Sequence, residues 1–159
     1  QVAGPYYAVP SWDQKLPAAT RFVVLTNWGS QAVLDKETGL VWEKTPSLTS
    51  FNWGAAGEHC TNATTTGNRK GWRLPSVHEL RSLNDPSVAA PGPTLPPGHP
   101  FTTGATGVQS ALYWSASTDA VNPASAWLVF FGNGDVIILS KRDTRHVWCV
   151  RGGMNADQY

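Results

Sequence analysis

Charge is scarce in this chain: Asp, Glu, Lys and Arg make up 14% of its 159 residues and sum to a formal net charge of +1. Such a balance excludes a global electrostatic pull toward nucleic acid or an anionic membrane surface. Long apolar runs are missing too. None nears the roughly 20 residues that a membrane-spanning helix requires, so no membrane insertion is expected. The motifs of common catalysis are absent: no H-E-x-x-H, no G-x-S-x-G, no phosphate-binding glycine loop and no C-x-x-C. His59, His78, His99 and His146 are scattered without metal-ligand spacing, so no metal centre or cofactor is implied and the chain reads as non-enzymatic. Methionine occurs once and cysteine twice, and the length suits one domain with a core that needs neither a metal nor dense disulfides.

What the chain does have is 8 Trp, 15 Gly and 12 Pro, the composition of a loop-rich domain with many short elements rather than a helical bundle. Its clearest element lies in Gly71–Leu83. Leu74 and Pro75 enforce an extended approach, Ser76 and Glu79 form an S-x-x-E capping box, and Val77, Leu80 and Leu83 set one apolar stripe on the helix that follows. Arg73 and Glu79 are expected to bond each other or the backbone rather than a substrate.

Residues 1–20 hold three prolines and read as an extended arm, part of which packs down through Tyr6, Tyr7 and Trp12. Gln1 in place of Met reads as the head of a mature or trimmed product. Arg21–Leu25 is rich in strand formers. Ala32–Asp35 and Leu40–Glu43 flank Lys36-Glu-Thr-Gly39 as a β-hairpin, with Gly39 in the positive-φ position. Helical periodicity returns over Ser50–Thr61, with Trp53, Ala56 and Cys60 on one face and Ser50 or Asn52 as cap. From Pro86 to Gly107, six prolines and four glycines predict a long surface loop.

The last third predicts four short strands, Tyr113–Ser117, Ala126–Phe131, Val136–Leu139 and Val147–Arg151, with Gly132-Asn-Gly-Asp135 as a hairpin turn. Trp127, Val129 and Phe131 alternate toward the core, which turns Leu128 and Phe130 the other way. An open second face would then carry apolar side chains suited to recognition. The one concentration of charge is Lys141-Arg-Asp-Thr-Arg-His146, either a solvated turn or an anion-binding patch for sulfate or carboxylate groups. Cys60 and Cys149 are either buried thiols or one disulfide joining an early helix to the last strand, and the secreted look of the composition favours the disulfide.

Several segments together carry a resemblance. They are Val33-Leu-Asp-Lys-Glu-Thr-Gly-Leu-Val-Trp42, Gly71-Trp-Arg-Leu-Pro-Ser-Val-His-Glu-Leu80, Tyr113-Trp-Ser115, Ala126-Trp127 with Val129 and Phe131, and Val147-Trp-Cys-Val-Arg-Gly-Gly153. In order and spacing they resemble the family named after the C-terminal domain of a collagen-like bacterial adhesin, the Lcl C-terminal domain family, a branch of the C-type lectin-like fold. The likeness runs from about Phe22 to Gly153, with Trp148 where the family's final strand usually has Arg. It implies an α+β domain of C-type lectin-like fold over residues 21–153, with two helices packed on short antiparallel sheets, long loops, terminal strands that meet, and a tail at 154–159. Cys60 and Cys149 fall where this family places its long-range disulfide.

The resemblance also implies a role. Relatives are secreted or surface-exposed ligand binders, among them an adhesin that binds sulfated glycans as a trimer, and others are retroelement-diversified proteins that vary their last strands and loops. Carried over, the ligand face comprises Leu128, Phe130, Asn133, Asp135, Ile137, Arg142, Asp143, Arg145 and His146. The expected protein is an extracellular, cell-surface or periplasmic module for a protein or glycan ligand, with homo-oligomers possible. Two other classes stay open: a structural subunit of a surface appendage, and an enzyme related to formylglycine generators, which need a reactive cysteine pair. The calcium motifs of sugar-binding lectins are missing, although Asp119, Asn122, Asn133 and Asp135 could offer oxygen ligands to calcium.

Overall fold

The computed structural model describes residues 16–63 and 65–152, and within them the chain is α+β with antiparallel sheets, as expected. Chain order gives α1 (Ala18–Arg21), β1 (Phe22–Val24), β2 (Ala32–Asp35), β3 (Leu40–Glu43), α2 (Trp53–Thr61), α3 (Val77–Arg81), β4 (Leu112–Thr118), β5 (Ser125–Phe130), β6 (Val136–Ser140) and β7 (Val150–Gly152). Tyr6, Tyr7 and Trp12 of the proposed arm, and the tail at 154–159, lie outside the described residues. The part of the arm that is described is not extended throughout, because Ala18–Arg21 closes one helical turn.

The local signals explain most elements. Gly39, at φ +78°, turns β2 into β3. Asn52 caps α2 by accepting from the Ala55 amide, and the reciprocal Ser76–Glu79 box starts α3. Arg73 grips the same Glu79 with two hydrogen bonds of 2.8 and 2.9 Å. Burial alone would raise the Glu79 carboxyl, but Arg73 and the Ser76 amide outweigh it and hold the group below its ordinary value.

Two sheets result, one ordered β1-β2-β3-β7 and the other β4-β5-β6. The N- and C-terminal strands therefore share a sheet without pairing, since β1 lies at one edge and β7 joins β3. The strand expected at Val147–Arg151 begins only at Val150, because its approach bridges the two sheets. His146 is bridged to Tyr113 of β4, whereas Val150 pairs with Trp42 of β3. Along this approach Val147 and Cys149 enter one core cluster, and Trp148 and Val150 enter the other.

Trp148 anchors the first cluster, with Trp42, Phe101 and Phe131 rings at 5.5, 5.1 and 5.7 Å. Its partner Phe101 comes from the proline-rich stretch, so that stretch is not simply a surface loop. Thr94, Leu95 and Phe101 are buried, and the Thr94 amide donates to the Phe131 carbonyl at 2.9 Å. The stretch forms a wall of the first core, to which it gives Leu95 and Phe101 beside Leu80, Leu83 and Val129.

The second cluster contains Trp72, Trp114, Leu128 and the cystine, with Cys60 of α2 and Cys149 bonded across 89 residues of sequence. Leu128 is thus core rather than ligand face, because α2 and the Val147–Cys149 approach cover the side of β5 that alternation left open. Arg21, 1% exposed, meets Asp35 through two hydrogen bonds of 2.8 and 2.7 Å and donates to the Ser82 carbonyl, tying α1, β2 and the end of α3 together.

Candidate functional site

The nine expected ligand-face residues do not form one surface. Leu128 is buried. Ile137 packs partly against the second core cluster. Phe130 is half-buried, its ring lying so close over Gly132 that a side chain there would have no room. Asn133 and Asp135 are exposed but bond each other within the β5–β6 turn, the Asn133 amide donating to the Asp135 carboxylate at 2.9 Å. Arg142, Asp143, Arg145 and His146 lie at the other end of β6, about 15 Å away at the usual rise per strand residue.

That second group is the one that the fold builds into a site. After β6 the chain turns through Ser140, whose carbonyl and hydroxyl accept from the amides of Asp143 and Arg142. It then docks on the start of α2, where Phe51 and Arg145 exchange backbone hydrogen bonds of 2.8 and 2.9 Å. The Trp53 amide donates to the Lys141 carbonyl, and the indole N–H donates to the Ser115 carbonyl at 2.9 Å. With its ring so fixed, Trp53 carries the Lys141 ammonium 4.0 Å from its centroid, and Lys141 also donates to Thr118 at 3.0 Å.

Charge at this rim is incompletely neutralised. Arg145 and Asp143 approach to 3.8 Å with both side chains part-exposed, a weak pair. Arg142 is exposed and makes no ion pair among the described residues. Two histidines flank the cations: His59 stacks on Phe51 at 4.7 Å, and His146 tilts against Tyr113 at 5.3 Å. Burial lowers the pKa of both, so near neutral pH they present rings rather than charge. Lys141, Arg142 and Arg145 supply the positive potential, and Trp53 and Phe51 supply aromatic surface.

Phe51, Trp53, Lys141 and Thr118 were not in the expected face. The charge run from Lys141 to His146 was visible in the sequence, but its aromatic partners were not, since Trp53 read as part of the α2 core stripe. It occupies the first position of the helix, where the stripe runs out to the rim.

The four oxygen donors proposed for calcium are not brought together. Asp119 and Asn122 sit in the β4–β5 turn, and Asn133 and Asp135 in the turn at the opposite end of β5, where Asp119, Asn122 and Asn133 each accept a backbone amide two residues on. Both cysteines are committed to the disulfide. Among the described residues no helix is long and apolar enough to cross a membrane.

The family model described as the Lcl C-terminal domain matches residues 31–151. No curated protein matches the chain.

Proposed function

The chain belongs to the Lcl C-terminal domain family, and from that premise we propose that it is an adhesin-like, non-enzymatic module acting outside the cytoplasm, which captures an anionic protein or glycan at the rim formed by Phe51, Trp53 and Lys141–His146. One observation carries the reading: Lys141 sits over the fixed Trp53 ring, and on the same turn Arg142 makes no ion pair among the described residues while Arg145 has only the weak Asp143 contact. Guanidinium groups hold carboxylate or sulfate in a two-pronged geometry, and an indole face accepts the apolar side of a sugar or a side chain. The cystine supports a location where thiols are oxidised. It also leaves no thiol pair for chemistry of the formylglycine-generating kind.

The test is capture on an array of neutral, carboxylated and sulfated glycans together with a panel of surface proteins. The Arg142→Ala/Arg145→Ala double variant is expected to lose capture while its stability stays within about 0.5 kcal/mol of the parent, as for other surface substitutions. Capture by the parent should weaken as salt rises. Unchanged capture by the variant rejects this rim as the ligand face.

A further inference from the structure

A separate surface lies beyond the other end of α2, on the outer face of the four-stranded sheet. There the register places one residue of each strand in a single row: Val23 opposite Leu34, Leu34 opposite Val41, and Val41 opposite Arg151. The inner row, Val24, Val33, Trp42 and Val150, fills the first core. Val23 is 39% exposed, and Val23 and Leu34 belong to neither core cluster. With strands about 4.8 Å apart, the row runs roughly 14 Å.

It ends beside two guanidiniums held on one indole. The guanidiniums of Arg69 and Arg151 lie 4.9 and 5.2 Å from the Trp28 ring centroid. Arg151 is held by donating to the Lys70 carbonyl at 2.6 Å. Trp28 in turn rests on Gly67, at φ +63°, where a Cβ would stand 2.8 Å from the ring. Among the described residues, Arg69, Lys70 and Arg151 form no ion pair. The nearby carboxylates are otherwise engaged: Glu79 with Arg73, and buried Glu43 with the Cys149 amide and the Thr66 hydroxyl.

We propose that this face docks a peptide segment of a partner protein in which aliphatic side chains are followed by acidic ones. Charge complementarity sets the acidic half of that description, since the two guanidiniums oriented on Trp28 lack a counter-charge among the described residues and Lys70 adds a third positive charge beside them in sequence. The aliphatic half follows from the row itself: Val23 and Leu34 gain by being covered, with Val41 beside them already half-covered by the second core cluster, and branched aliphatics offer no flat ring for a sugar to stack on. The guanidiniums are already ordered on Trp28, so little side-chain freedom remains to be lost on binding. This surface is independent of the Lys141–His146 rim.

The probe is a fluorescent peptide of about eight residues, a Leu half followed by a Glu half, enough to cross the sheet when extended, with Leu/Gln and Ser/Glu peptides of the same layout as controls. Anisotropy titration of the full chain is expected to show the Leu/Glu peptide binding at least about tenfold tighter than either control, the size expected for losing charge-assisted bonds or apolar cover. Arg69→Gln/Arg151→Gln and, separately, Leu34→Ser should each erase that preference without altering the far-ultraviolet circular dichroism, whereas Arg142→Ala/Arg145→Ala should leave it intact. Equal binding of all three peptides overturns the proposal, as does full competition by a sulfated polysaccharide through the rim variant's residues. Binding that emerges only after removal of residues 1–15 also overturns it, by showing that the chain's own segment is the occupant.

Discussion

Glu43 is the residue whose chemistry most exceeds its place in the sequence. It is the last residue of β3 and is buried, with its carboxylate accepting from the Cys149 amide and the Thr66 hydroxyl, both at 3.1 Å. Burial raises its pKa, and those two hydrogen bonds only partly offset the effect. Because the folded-state value lies above the unfolded one, the folded state holds its proton more tightly. The stability linked to this group is therefore full below the unfolded pKa and is lost as pH rises through the raised one. His59, His99 and His146 pull the opposite way: burial depresses all three, so their contribution is present above about pH 6.5 and is lost on acidification. Glu43→Gln isolates the carboxylate. Urea denaturation across pH should show the variant gaining on the parent as pH rises from 4 toward 8, by about 1 kcal/mol or more for each unit of pKa elevation removed. A difference that stays flat with pH would mean that Glu43 titrates normally. The buried Arg21–Asp35 pair makes a similar point about legibility: Arg21 reads in sequence as the start of a strand, and only the β1–β2 register sets it against Asp35.

At the scale of elements, whatever depends on a few adjacent residues was readable. The Ser76–Glu79 box, the Asn52 cap and the Gly39 turn each satisfy backbone groups within one turn of chain, so the sequence alone announces them. Two elements were misjudged for a shared reason. Alternation along β5 separates two faces but cannot say whether the second is covered, and Leu128 lies under α2 and the Val147–Cys149 approach, which come from distant parts of the chain. Proline and glycine density rightly denies strands and α-helices to 86–107, where Gly104–Thr106 closes one 3-10 turn, yet says nothing of depth, and Phe101 lies edge-on to Phe22 and Trp148 at 5.2 and 5.1 Å. The same blindness hid Trp53 at the rim. If the stretch is a wall of the core, Phe101→Ala should cost about 3–5 kcal/mol and expose residues 86–107 to limited proteolysis. Loss of less than about 1 kcal/mol, the effect of an ordinary surface change, would return it to the status of a surface loop.

For the whole molecule the cystine matters most, since it closes the longest covalent loop among the described residues. Cys60 and Cys149 are 89 residues apart and join α2 to the segment between the sheets. Closing a loop of that length restrains the unfolded chain by roughly 4–5 kcal/mol in the chain-entropy view. Cys60→Ala/Cys149→Ala is expected to lower the urea midpoint accordingly, with the denatured state more expanded and a steeper denaturant dependence. An unchanged midpoint would place the stability wholly in the two cores.

The crossing of Val147–Val150 between the sheets also has a temporal side. Trp148 completes one interior and Cys149 the other, so a polypeptide synthesised from its head leaves both halves incomplete until this tetrapeptide emerges. The two interiors thus share one late keystone, and neither closes without the other.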